Sequence, residues 1–158
     1  MNLNIRRVVT GHDDQGRARV LIDERVKNVM SPRQGVVYSV IWSSENFPVN
    51  NDDSIDPSGK KIGTTIPDGT VFRIVSFAPG AAPRNHRTDS IDYAVVMSGE
   101  IDMDLDGTTV HLKAGDVLVQ RGTIHNWINK GNEPCVIAFT LISAKPVVAG
   151  GKTLSAQG

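Results

Sequence analysis

Two stretches of this 158-residue chain place imidazoles beside groups that could share their chemistry. In "RGTIHNWIN", residues 121–129, His125 follows the apolar run "GDVLVQ" and stands two residues before Trp127. In "NHRTDSIDY", residues 85–93, His86 is followed by Thr88, Asp92 and Tyr93. A neutral imidazole can take up a proton near neutral pH or ligate a metal. A carboxyl group in a dry setting keeps its proton to higher pH and becomes a usable acid. His12, in "TGHDDQG", and His111, in "TTVHL", are expected in a turn and on a surface strand, with structural or solvent-facing roles.

Short strands must position these groups. "IRRVV", "ARVLI", "VVYSVIW", "TVFRIVSF", "IDYAVVM", "EIDMDL", "TTVHL", "DVLVQ" and "VIAFTLI" are rich in Val and Ile and separated by Gly, Pro, Asn and Asp clusters. In "EIDMDL", Ile101, Met103 and Leu105 share one face, and Glu100, Asp102 and Asp104 the other, read as a solvated strand face. Turn signals at "SGE" and "DG" suggest a three-stranded meander over residues 91–112. The reading is all-β, a sandwich or closed barrel.

One domain is expected over residues 1–158: N-terminal strands over 1–42, a long loop or lid over 43–69, a barrel core over 70–146 and a flexible tail over 147–158. The N-terminal strands are expected to cover a sheet edge or pair with a second subunit, which makes a homodimer the expected assembly.

Charge narrows the partners. Lys plus Arg and Asp plus Glu are 17 each, without the positive field of a nucleic-acid binder. No run of about 18 apolar residues marks a membrane span, and the N-terminus lacks the apolar core of a signal peptide. A soluble, cytoplasmic protein with a small-molecule partner, and neither nucleic acid nor membrane, is expected. The single cysteine, Cys135, reads as a packed core thiol.

Period-two alternation indicates which side chains share a cavity. If Asp92 points inward, so do Ala94 and Val96, and His125 carries Trp127 with it. Arg73 falls in the set Val71, Arg73, Val75 and Phe77. It is expected to meet solvent at the barrel mouth, pair with an acid, or bind an anionic substrate, because a buried unpaired charge is costly. Trp127, Tyr93, Trp42 and Phe47 could form an aromatic wall for a planar or polyene-like ligand, with Phe47 anchoring the long loop.

The spacing G-x5-H-x-T-x3-D-x6-G over residues 80–99, followed by "GDVLVQRGTIHNWIN", resembles the two motifs of the cupin superfamily. The resemblance implies a cupin-type jelly-roll β-barrel, a double-stranded β-helix, with His86 and His125 on ligand positions of the family. Thr88 stands where the family has a second histidine and Asp92 where it has a glutamate. The second motif is one residue short and has Arg121 and Gly122 where Pro-x-Gly would stand. The remaining ligand set is His86, Asp92 and His125. It could hold one divalent transition metal (Fe, Zn, Mn or Ni), or work without any cofactor as catalytic acids and bases, with Thr88 orienting a substrate oxygen.

Small cupins with "HRTDS-[IL]-DY" and "QRGT-x-H-x-W" turn up among natural-product biosynthetic enzymes of fungi and bacteria. That likeness implies a tailoring step on an oxygenated, polyketide-like molecule. The expected activity is that of a lyase (dehydratase) or isomerase, with one of His86 and His125 as base and the other, or Asp92, as acid. A metal-dependent oxygenase or decarboxylase, and a non-enzymatic small-molecule-binding module, are the alternatives.

Overall fold

Valines and isoleucines on alternate positions, punctuated by turn residues, favour pleated strands that are apolar on one side. The computed structural model describes residues 3–52 and 55–158. Its strands in chain order are β1 (Arg6–His12), β2 (Ala18–Arg25), β3 (Val29–Arg33), β4 (Val36–Glu45), β5 (Gly69–Phe77), β6 (Ser90–Ser98), β7 (Glu100–Leu105), β8 (Thr108–Lys113), β9 (Val117–Arg121), β10 (Asn126–Ile128), β11 (Cys135–Ser143), β12 (Val147–Ala149) and β13 (Lys152–Leu154). Among the described residues the only helical element is a 3-10 turn at Pro57–Gly59.

The order β3-β4-β5-β11-β6-β9 makes a six-stranded sheet, and β10-β7-β8 makes a three-stranded one. All pairings are antiparallel, and β11 lies between β5 and β6. Such crossing connections between two facing sheets produce the expected jelly roll. The core lies between the sheets. Val71, Val75 and Phe77 of β5 and Ala94 and Val96 of β6 meet Ile101 and Met103 of β7, Leu112 of β8 and Trp127 of β10. Cys135 is fully buried among them, and burial pushes its thiol up to about 11, which leaves it unreactive.

The outer face of β4 and β5 carries a second apolar cluster, in which Leu3 and Val26 cover Val37, Ile41 and Ile74. The β1–β2 hairpin is latched there by Arg7, 4% exposed, whose guanidinium donates to Asp56 at 2.9 and 2.6 Å, to Glu24 at 2.5 Å and to the Ile41 carbonyl at 3.2 Å. Its charge holds the Asp56 carboxyl down at about 2.

Four expectations are corrected. The meander over 91–112 is not a single sheet: β6 lies in the large sheet and β7 in the small one, so only β7 and β8 form a hairpin. The connection 43–69 is shorter, because β4 runs to Glu45, where its pairing with Gly69 of β5 ends. The tail over 147–158 is not loose: β12 and β13 form a hairpin, and Gln157 exchanges backbone hydrogen bonds with Arg87 at 2.9 and 3.0 Å. His12 ends β1, opposite Ala18, and does not stand in a turn.

The switch between sheets turns on Gly99. Its φ is +75°, and a Cβ there would lie 2.6 Å from the Pro134 carbonyl oxygen and 2.9 Å from Cys135 Cα. Gly99→Ala combines left-handed strain with a backbone clash and is expected to cost about 2 kcal/mol or more of stability, measured by urea denaturation. An unchanged midpoint would show that the crossing does not depend on this glycine.

Candidate active site

Two backbone hydrogen bonds assemble the site. His86 N–H donates to the His125 carbonyl and His125 N–H to the His86 carbonyl, both at 2.9 Å, forming an isolated antiparallel bridge. The rings lie side by side with centroids 4.2 Å apart. Each Nδ1 is 3.0 Å from the carbonyl two residues upstream, Arg84 for His86 and Thr123 for His125. A carbonyl only accepts, so Nδ1 carries the hydrogen and the Nε2 of each ring is left as the basic nitrogen.

Both imidazoles border a cavity of about 330 Å³ that is also lined by Arg73, Thr88, Asp92 and Trp127. Burial, with the charge His125 would carry beside it, pulls His86 down to about 4; burial likewise lowers His125. Both rings are therefore neutral bases near pH 7. Burial acts oppositely on Asp92 and raises its carboxyl to about 6.

Asp92 is held by a short polar file. Ser90 Oγ donates to Asp92 Oδ1 at 2.5 Å and lies 2.8 Å from Thr88 Oγ1. Gln120 Nε2, opposite Asp92 in the β6–β9 ladder, donates to Oδ2 at 3.2 Å. Thr88, Ser90 and Asp92 alternate along one chain, so all three side chains share the buried face.

Arg73 points inward with Val71, Val75 and Phe77, as alternation predicts, but neither meets solvent nor pairs with an acid. It is 8% exposed and donates to the carbonyls of Gly63 and Thr64, at 2.7 and 2.8 Å, in the connection that roofs the cavity. Its guanidinium also sits 5.2 Å from the Tyr38 ring centroid.

The aromatic wall differs from the one expected. Trp127 belongs to it, packed against Phe77 and Phe139 with ring centroids 6.0 and 5.7 Å apart. Tyr93 does not: it sits next to the inward Asp92, so the pleat turns it to the outer face, 50% exposed. Phe47 lies beyond the end of β4 and is 57% exposed. Trp42 is half-buried past a register shift in β4 and does not line the cavity.

His86, Asp92 and His125 are not gathered into one cluster. Among the described residues no group of three or more His, Cys, Asp or Glu side chains is arranged to hold a metal ion. Asp92 is engaged through both oxygens, by Ser90 and by Gln120.

Ser90, Gln120, Tyr38, Arg33 and Arg84 were missed. Ser90 could have been found from its spacing to Asp92. Gln120 could not, because cross-strand pairing is not written in either strand alone.

A family model for the cupin domain matches residues 73–142. Over 157 residues the chain is 34% identical to the cupin-domain-containing oxidoreductase fogC of Aspergillus ruber, an alignment taking in 94% of this chain and 77% of that protein. The chain belongs to the cupin family. This cupin is also 48% identical over 94 residues to phomopsin biosynthesis cluster protein C' of Diaporthe leptostromiformis, which covers 58% of this chain. It spans about half the length, 50%, of the phomopsin-cluster relatives it matches. In fold it is similar to the cupin domain of Schizosaccharomyces pombe Cnp3, with a TM-score of 0.52, 14% identity and 87% of each chain covered.

The opposed shifts of His86 and Asp92 give this cupin a testable pH signature. His86 falls from 6.5 to about 4, so across that window the unfolded chain binds more protons and stability rises with pH. Asp92 rises from 3.8 to about 6, so the folded chain binds more protons there and stability falls as pH rises. The two slopes oppose each other. In Asp92→Asn only the first remains, and between pH 4 and 6 its stability is expected to climb more steeply than that of the wild type in stepped-pH urea titrations. Parallel curves would mean that the Asp92 carboxyl is not raised.

Proposed function

We propose that this cupin is a tailoring enzyme that moves a proton next to a carbonyl of a small oxygenated molecule, so that water is lost or a double bond migrates. What supports the reading above all is the pairing of two neutral imidazoles, each with a bare Nε2, with a carboxyl group of raised pKa in the same cavity. Such a set can remove a proton at one point and deliver one at another.

One imidazole Nε2 takes the proton from carbon. The neighbouring ring, with its Nδ1 fixed on a carbonyl, stays neutral and accepts a hydrogen bond from a substrate hydroxyl at Nε2. Asp92 in its acid form gives its proton to the departing hydroxyl or to the far carbon, while Ser90 and Gln120 stabilise the carboxylate left behind. Trp127, Phe77 and Phe139 exclude water. The biosynthesis-cluster names of the relatives agree with a tailoring role. A second reading, oxidation or reduction of the same kind of substrate, is favoured by the word oxidoreductase in the names of the longer matches.

The test is hydrogen–deuterium exchange at carbon in hydroxylated carbonyl compounds, followed by nuclear magnetic resonance. Wild-type protein is expected to exchange, and His86→Asn and His125→Asn each to lose about 100-fold or more. Because the base must be free of its proton, above about 4, and the acid must hold its own, below about 6, the rate is expected to peak between these values. Full exchange in both variants would sink the proposal. Turnover that occurs only with consumption of oxygen would favour the second reading.

We further propose that the working form is a homodimer. The outer face of β6 and β9 supports this: Tyr93 pairs with Val119 and Val95 with Val117, all four between 45 and 73% exposed, and Met97 continues the strip. A two-fold axis through the apolar part of this ladder makes it self-complementary, with Arg121 at its end. Val95→Lys with Val117→Lys is expected to halve the mass seen by light scattering; a monomeric wild type would remove the proposal.

A further inference from the structure

The cavity carries positive charge that proton transfer does not use. Arg33, Arg73 and Arg84 all border it, and Asp92 is the one carboxyl group in its lining. Elsewhere in the chain, Arg6, Arg7 and Arg17 each meet a carboxylate, at 2.7, 2.5 and 2.8 Å. Among the described residues neither Arg33 nor Arg73 has such a partner, while Arg84 donates to an oxygen of Gly158.

Backbone carbonyls aim Arg33 and Arg73 instead. Arg33 Nε donates to Ala82 at 2.9 Å, and Arg73 is held by Gly63 and Thr64. A carbonyl dipole orients a cation without neutralising it. Arg73 shows the cost most plainly: at 8% exposure its Nε–H has no acceptor. A buried donor left unpaired costs free energy, and Asp92, the carboxyl group whose charge favours the Arg73 guanidinium, forms no ion pair with it. The cations also repel one another, since the charge on Arg84 disfavours the charged forms of Arg33, Arg73, His86 and His125.

A ligand with a negative oxygen would remove these penalties together. Guanidinium groups match carboxylates and similar oxyanions with parallel hydrogen bonds. The rest of the wall, including Trp127, Phe77, Phe139 and Leu141, suits an apolar body.

We propose that the cavity selects a small organic acid, an apolar molecule with one carboxylate or phenolate oxygen, which docks against the Arg73 guanidinium with Arg84 and Arg33 supplying further positive charge. This rests on reading the cavity as the substrate site and adds the substrate's charge to that reading. In it Arg73 has two tasks, holding the roof through one nitrogen and the acid through another. Arg84 and Arg33 draw the anion in.

The experiment uses matched pairs, benzoate with benzamide and hexanoate with hexanamide, titrated into the full chain by calorimetry and by arginine-selective nuclear magnetic resonance. Each acid is expected to bind about tenfold or more tighter than its amide, which corresponds to about 1.4 kcal/mol, and to weaken with added salt. Arg73→Gln and Arg84→Gln are each expected to remove that preference without changing amide binding; Arg84 is half-buried at the cavity border, so its replacement leaves the core intact. Equal binding of acids and amides, or no acid-induced shift of the Arg73 Nε–H resonance, overturns the proposal. The same titrations on His86→Asn separate the two readings. A preference for acids retained by a protein that exchanges no protons keeps the anion site and removes the proton-transfer role, whereas exchange on neutral compounds without any acid preference does the opposite.

Discussion

The pair of backbone hydrogen bonds between His86 and His125 is the constraint on which the site depends. It joins the segment that leads into β6 to the one that leads into β10, and these strands belong to different sheets. Closing the barrel mouth therefore also sets the two rings side by side. Because each ring is then tied through Nδ1 to a carbonyl of its own segment, the bridge fixes tautomer as well as position. The arrangement has the precision of a β-ladder, although neither residue lies in a named strand.

Burial does the remaining chemistry, and in opposite directions. The dry wall formed by Trp127, Phe77 and Phe139 strips imidazoles of their protons and keeps a proton on a carboxyl group. Two kinds of side chain that would ordinarily be charged together are thus driven toward their neutral forms in one cavity. The arginines resist this trend because a guanidinium hardly gives up its proton. The site consequently combines neutral titrating groups with fixed positive charge.

Much of this was legible in the sequence, and the limits have physical causes. His86, Thr88, Asp92 and His125 could be read from motif spacing, and Trp127 followed from His125 by alternation. Arg73 was placed inward by the same period, but its partners were not foreseen, since the carbonyls of Gly63 and Thr64 come from an irregular connection without a pattern. Tyr93 was included for its ring although its neighbour Asp92 already assigned it to the other face. The meander failed because a turn signal such as "SGE" reports that the chain bends and says nothing about which sheet it enters. The β12–β13 hairpin was hidden by its brevity, as three-residue strands carry too little alternation to be read.

The long connection between β4 and β5 is fastened at Asp56 by Arg7, at Ser58 by Asn28 and at Gly63 and Thr64 by Arg73. Its contribution to the cavity wall comes from Ile62, Gly63 and Thr64, all beyond the first fastening. The described residues 46–52 take no part in that wall. Lengthening a flexible loop adds little closure entropy, because that cost grows only with the logarithm of its length. Related chains can accordingly gain or shed residues there, and acquire new outward-facing features, without redrawing the interior: the architecture separates what evolution can vary cheaply from what it must keep in register.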